Sequence, residues 1–143
     1  MPRPDPSRLD PARYPHQTTI QTRFADLDTQ GHINNVAMAT LFESARVRFN
    51  QAMGFGRGRT GGRWLVARVE INYLAEGHFP ADMLIANGIG HIGTRSWTIT
   101  SCAFQEGRPI ATCDVVVVLD RSQGATAMPD ELRNLLEPHR IAD

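Results

Sequence analysis

Residues 25–35 read ADLDTQGHINN, and residues 36–49 continue VAMATLFESARVRF. The first stretch crowds two aspartates, a glycine, a histidine and two asparagines together. The second is apolar at Met38, Leu41, Phe42, Ala45 and Phe49, and the pattern extends to Ala52 and Met53. Spacings of three and four predict one long amphipathic helix, with Gly54 as its stop. Ile33, Val36, Ala37 and Val47 are apolar off the main stripe, so the helix is expected to be enclosed on most of its girth. The polar stretch sits at its N-terminus. Asp28 or Asn34 could simply cap the helix. The same groups could also form a reactive site, because the first N–H groups of a helix lack intrahelical partners.

Around this helix the chain reads mostly as strand. HQTTIQTRF, from His16, predicts a first strand. WLVARVEINYLA, DMLIANGIGHI, RSWTITSCAFQ and PIATCDVVVVLD predict four more. Gly93-Thr94 and Gly107-Arg108 suit two-residue hairpin turns. A loop of Gly107 and Arg108 would set Cys102 directly opposite Cys113; two reduced, packed thiols are the expectation there. DELRNLL is a short closing helix started by Pro129 and Asp130. Strand, long helix, then four strands joined as successive antiparallel hairpins is an α+β order, with the sheet wrapped around the helix. Val115–Val118 is apolar on both faces, which predicts a dimer or higher oligomer.

The chain has 143 residues, enough for one domain with a core. An irregular arm is expected over residues 1–15, which hold five of the nine prolines, and a single domain over 16–143. Fifteen acidic residues balance fifteen basic ones, which argues against a nucleic-acid partner. All the basic residues are arginine. That reads as the codon bias of a GC-rich bacterial genome and leaves no lysine for Schiff-base chemistry. The five histidines are scattered and there is no C-x-x-C, so no metal site is expected. With no long apolar run and no apolar signal region, a cytoplasmic protein without membrane contact is expected.

D-x-D-x-x-G-H-x-N-N followed by F-E-x-A-R resembles the 4-hydroxybenzoyl-CoA thioesterase family of hotdog-fold proteins. Here the motif stands as Asp26, Asp28, Gly31, His32, Asn34 and Asn35, then Phe42, Glu43, Ala45 and Arg46. VEINYLAEGHFPADML, HIGTRSWTIT and the last strand and helix extend the resemblance over His16 to Glu137. It implies a hotdog fold and an acyl-CoA thioesterase, with coenzyme A entering only as part of the substrate and no cofactor. It implies Asp28 as base or nucleophile and the Asn35 N–H as oxyanion donor, with Gly31 and His32 in the same site. Asn34, Met38, Arg95 and Ser96 are implied as substrate contacts, Arg95 near the nucleotide. The family commonly has an aromatic residue where this chain has Met38, which alters the acyl pocket.

Thioester hydrolysis needs a nucleophile or a base, and donors for the developing oxyanion. A carboxylate can attack directly or activate water. Chemistry alone does not choose between Asp26 and Asp28. His32 can orient groups or stabilise the turn. Glu43 is expected to pair with Arg46 or Arg48 rather than to react. GFGRGRTGGR, from Gly54, follows a helix rather than a strand, so a dinucleotide or P-loop reading fails; Arg57 or Arg59 could still touch phosphate. Two rivals stand beside the thioesterase. One is a non-catalytic hotdog protein that binds an acyl-CoA or acyl-carrier-protein thioester. The other is a hydratase, disfavoured because its D-x-N-P-x-H spacing is not met.

Overall fold

The computed structural model describes residues 3–55, 63–120 and 127–142. Strand β1 is His16–Ile20, shorter than expected, and a single 3-10 turn follows at Phe24–Asp26. Helix α1 is Asn35–Ala52. Then come β2 (Trp64–Tyr73), β3 (Met83–Ile92), β4 (Ser96–Gln105), β5 (Arg108–Leu119) and helix α2 (Asp130–Leu136). Residues 56–62 of the Gly/Arg loop, with Arg57 and Arg59, lie outside the described residues.

Helix α1 begins where the Asn34 side chain accepts the Ala37 N–H at 2.7 Å. It ends before Gly54, whose φ of 91° only glycine adopts cheaply. Ala37, Met38, Leu41, Phe42, Ala45 and Phe49 form its buried stripe. They meet Ile85 and Ile89 of β3, Trp97 and Ile99 of β4, and Cys113 and Val115 of β5 in one core. Leu132 and Leu136 of α2 close the same core. The expected enclosure fails on the far side of the helix, where Val36 is 77% and Val47 49% exposed. One sheet covers only one face of a helix.

The sheet is antiparallel throughout, in the order β1-β3-β4-β5-β2. Hairpins join β3, β4 and β5 as expected, but β2 does not continue the series. It crosses to the far edge and pairs with β5. The residues explain this. Val115–Val118 of β5 has both edges paired, to β4 and to β2, as suits an apolar run. Strand β2, which mixes Arg68 and Glu70 with apolar residues, takes the edge position instead.

Both hairpin tips lie one residue from their expected places. Gln105 pairs with Arg108, so the second tip is Glu106-Gly107, with φ of 52° and 78°. Those two positive values are what a type I′ turn requires. In the first hairpin the Gly93 N–H donates to the Ser96 carbonyl at 2.7 Å, which leaves Thr94-Arg95 as the tip. A register irregularity between Ala103 and Phe104 takes back one residue of that shift in the β4–β5 pairing, and another lies between Ile89 and Ile92 in β3–β4. Cys102 consequently faces Thr112, and Cys113 faces Ser101. A single-residue offset reverses the face. Cys113 lies in the helix-side core, whereas Cys102 lies with Tyr14 and Phe104 on the other side of the sheet. Both thiols are free and buried. Burial pushes Cys102 up to about 12 and Cys113 up to about 11. Ellman's reagent should therefore find no fast-reacting thiol in the native protein and both after denaturation without reductant. A thiol count of zero after denaturation would contradict this register.

The N-terminal arm is more ordered than its prolines suggested. Pro6–Leu9 and Pro11–Arg13 form 3-10 turns. Asp5 and Asp10 cap them by accepting the Ser7 and Ala12 N–H groups at 2.9 Å. Each proline stands at a first helical position, where no N–H is needed. Arg8 then anchors the arm to the sheet. It donates to the Ser101 carbonyl at 3.2 Å and pairs with Asp114. The arm packs Leu9 and Tyr14 onto Ala86, Cys102 and Phe104. Part of the second apolar face of the sheet is thus covered from within the chain.

Candidate active site

The motif folds as a tight loop between β1 and α1. Leu27 and Ile33 bridge across its neck. The Asp28 N–H donates to the His32 carbonyl at 2.9 Å, and the Gly31 N–H donates to the Asp28 carbonyl at 3.1 Å. Gly31 takes a φ of 79°, a turn conformation that favours glycine. The Ile33 N–H donates to the Gly77 carbonyl at 2.8 Å, which fixes the loop against the segment after β2.

Their surroundings separate the two aspartates. Asp26 is only 3% exposed. One of its oxygens accepts the Arg23 N–H at 2.9 Å, and the other accepts the Arg23 guanidinium at 2.9 and 3.2 Å. Its backbone carbonyl accepts the Asn34 N–H. Asp26 is thereby committed to holding the chain. Asp28 is exposed. Its Oδ1 accepts the N–H groups of Gln30 at 2.9 Å and His32 at 3.2 Å. Its Oδ2 accepts from no protein group among the described residues.

Asp28 lines a cleft of about 570 Å³ together with His32, Asn35, Met38, Tyr73 and Glu76. The first turn of α1 opens onto it. The Ala37 N–H is taken by the Asn34 side chain and the Met38 N–H by the Asn34 carbonyl. The N–H groups of Asn35 and Val36 meet no acceptor among the described residues, and the positive end of the helix dipole adds to them. The Tyr73 hydroxyl donates to the Asn35 carbonyl at 3.2 Å and holds the helix start against the end of β2. His32 Nε2 lies 3.2 Å from Glu76. Its ring meets His78 edge-on at 5.5 Å. Met38 is buried and walls the cleft from the helix side.

Asp28, Gly31, His32, Asn34, Asn35 and Met38 therefore come together. Arg95 and Ser96 do not join them in one chain. They sit at the β3–β4 tip beside Val118 and Leu119, whereas the cleft lies at the Gln105–Arg108 end of the same strands. The length of β4 separates the two places by roughly 30 Å, at about 3.3 Å per residue. Glu43 is off the cleft, 3.9 Å from Arg46. Glu76 and Arg108 line the cleft although neither was expected as a site residue. Only the fold joins them: Leu74 and Ala75 both donate to the Ile110 carbonyl, and Arg108 donates to the Glu76 carbonyl at 3.2 Å. Among the described residues no three His, Cys, Asp or Glu side chains could share a metal ion. No described helix is long and apolar enough to cross a membrane.

A family model described as the thioesterase-like superfamily matches residues 22–136. Among solved structures, a predicted thioesterase from Bacillus stearothermophilus is 27% identical, with a TM-score of 0.76 over 89% of this chain and 97% of that one. A Pseudomonas aeruginosa protein is 29% identical, with a TM-score of 0.76 over 92% of this chain and 96% of its own. A Thermus thermophilus thioesterase, solved with coenzyme A and zinc, shares the fold at 23% identity, with a TM-score of 0.74 over 87% and 93% of the two chains. No curated protein matches the chain significantly.

Proposed function

This chain belongs to the thioesterase-like superfamily, and from that premise we propose that it hydrolyses an acyl-CoA to the free acid and coenzyme A. The observation that carries the reading is one juxtaposition. A carboxylate oxygen of Asp28 without a protein partner and the unpaired N–H groups at the start of α1 face the same cleft. The thioester carbonyl oxygen lies against the Asn35 N–H. Negative charge builds on that oxygen in the transition state, and a fixed donor beside a helix N-terminus stabilises it without reorganising. Asp28 attacks the carbonyl carbon, or removes a proton from the water that does. Direct attack expels the thiolate of coenzyme A and leaves an acyl–Asp28 anhydride that water then hydrolyses to the free acid; attack by water expels the same thiolate and gives the acid directly. Glu76 orients His32 at the edge of the site, and Met38 borders the acyl group. The coenzyme A bound by the Thermus thermophilus protein supports the choice of carrier.

Thiol release from a panel of acyl-CoAs, running from short and long linear chains to aromatic acyl groups, tests this reading. Turnover on at least one member is expected, and the best member identifies the pocket. Tight binding of an intact acyl-CoA without turnover on any member would make this a binding protein.

The active unit is a homodimer paired through β2. This strand is a free edge, and it exposes Leu65, Val66 and Val69. An apolar free edge recruits another strand. Antiparallel pairing of β2 with its copy sets the Trp64 end of one along the Tyr73 end of the other. Arg95 of the partner subunit then lies at the same end of the joined sheet as Asp28. Val69→Glu should shift the protein to monomer in sedimentation velocity. An unchanged assembly would move the interface off β2.

A further inference from the structure

We propose that Arg46 reads the far end of the acyl group, and that the preferred substrates are thioesters of dicarboxylic acids, whose free ω-carboxylate pairs with its guanidinium. This rests on the acyl-CoA reading and deepens it by naming the acyl class. Asn35, Met38, Phe42 and Arg46 follow one another along α1 at spacings of three and four, so they share a face. Asn35 and Met38 line the Asp28 cleft. An acyl chain that starts at the Asn35 N–H and runs along this face meets Arg46.

The floor beneath that face belongs to β2. Tyr73, Ile71, Val69 and Val66 pair with Ala111, Cys113, Val115 and Val117 of β5, all of which lie in the helix-side core. Cross-strand partners share a face, so the β2 residues also point to the helix side. Tyr73, Val69 and Val66 are nonetheless exposed, because α1 packs over β1, β3 and β4 and stops short of the β2 edge. Tyr73 lines the Asp28 cleft, so the strip is continuous with it. Pairing of β2 with its copy closes the edge of the strand and leaves this apolar strip as the floor of a channel along α1.

Arg46 is out of place in such a channel. Its side chain is only 14% exposed. It makes no hydrogen bond among the described residues, and its ion pair is the 3.9 Å contact with Glu43, which is itself exposed. Burial raises the Cys113 thiol and the Arg46 guanidinium opposes it, which sets the charge near the β5 neighbour of Ile71. A guanidinium carries five N–H donors, and burying them unpaired is costly. One turn further on, Asn50 holds a buried Oδ1 that also lacks a partner among the described residues. None of the four β2 residues of the strip is acidic. The missing partner is thus an acceptor that the ligand brings, and a carboxylate matches the guanidinium fork. Arg46 follows Asn35 by about three helical turns, or roughly 16 Å. Helical side chains lean toward the N-terminus, which leaves roughly 10 Å from the oxyanion N–H to the guanidinium. That is about eight bonds of extended chain.

Calorimetry with two non-hydrolysable coenzyme A thioethers of this length measures what Arg46 contributes. One ends in an ω-carboxylate and the other in a methyl group. The wild type should bind the carboxylate ligand at least about tenfold more tightly. Arg46→Met should shrink that ratio at least about fivefold, and Arg46→Lys, which keeps the charge, should shrink it less. Loss of fold or assembly weakens both ligands together, so the ratio reads the distal group. A wild-type ratio near one overturns the proposal, as does a ratio that Arg46→Met leaves unchanged. An unchanged ratio in a variant whose dimer dissociates in sedimentation velocity would give Arg46 to the subunit interface instead. Hydrolysis of the two matching thioesters reports separately on the thioesterase reading. Hydrolysis with a binding ratio near one rejects the Arg46 subsite alone. A ratio that stands without hydrolysis of either ester retains the subsite and rejects the enzyme.

Discussion

Asp28→Asn is expected to lower kcat for the best acyl-CoA by at least about 100-fold, the scale of a lost base or nucleophile. The substitution is informative because the loop-closing role of Asp28 and its proposed catalytic role fall on different oxygens. Oδ1 accepts the N–H groups of Gln30 and His32 and closes the loop. Asparagine retains an oxygen for that task. It lacks the carboxylate charge that attack on a carbonyl or on a water proton requires. The loop should stay folded, and thermal stability should change little. Asp28→Ala would remove the cap as well, at a cost of about 1 kcal/mol, and would blur the two roles. Full turnover in Asp28→Asn with intact folding would leave Asp28 as a loop cap only.

Phe49→Ala should produce the largest loss of stability from a single substitution. Phe49 is fully buried on the sheet-facing side of α1. Its ring lies 5.3 Å from that of His16 and 6.1 Å from that of His139, so it ties β1 and the C-terminal segment to the helix. Truncation there removes a large apolar surface and leaves a cavity that two separate segments border. The expected cost is about 3–5 kcal/mol. At this chain length the melting temperature should fall by roughly 10 °C. Phe49 is four helical turns from the Asn35 end, about 20 Å away, so turnover measured well below the melting point should persist. A melting temperature within a degree or two of wild type would mean that Phe49 is not a core residue.

The sequence carries some of this structure openly and conceals the rest for identifiable reasons. Helix α1 is legible because its cap, its apolar period and its terminal glycine agree. The strands of the sheet are legible from apolar runs bounded by turn residues. Register is not, because the irregularities at Ile89/Ile92 and Ala103/Phe104 insert offsets that leave no composition signal. A net displacement of one in the summed pairing at the cysteines is enough to send Cys102 and Cys113 to opposite faces. The edge position of β2 is hidden as well, since a crossover reads like a hairpin until pairing partners are known. In the arm, proline reads as a breaker when it stands alone. The repeated Asp-Pro pairs, Asp5-Pro6 and Asp10-Pro11, are instead helix starts, and an explicit cap reading would have found them.

The same division holds at the site. The loop from Asp28 to Asn35 is local in sequence, so its residues announce themselves together. Glu76 and Arg108 are brought to the cleft by strand pairing across the chain, and although Glu76 lies in a stretch that extends the resemblance, neither residue was marked by it as a site residue. Arg95 shows the opposite limit. Its resemblance to a nucleotide contact is a statement about an assembled protein, and within one chain it stands at the wrong end of the sheet.

The central claim is that Asp28 and the first turn of α1 together cleave a thioester. The most direct test measures kcat and acyl-CoA affinity side by side for the wild type and Asp28→Asn, using the best substrate of the panel. A variant that binds the intact acyl-CoA with near wild-type affinity but turns it over at least about 100-fold more slowly is the predicted result. A variant that hydrolyses at the wild-type rate would contradict the account, because the cleft would then cleave without its carboxylate.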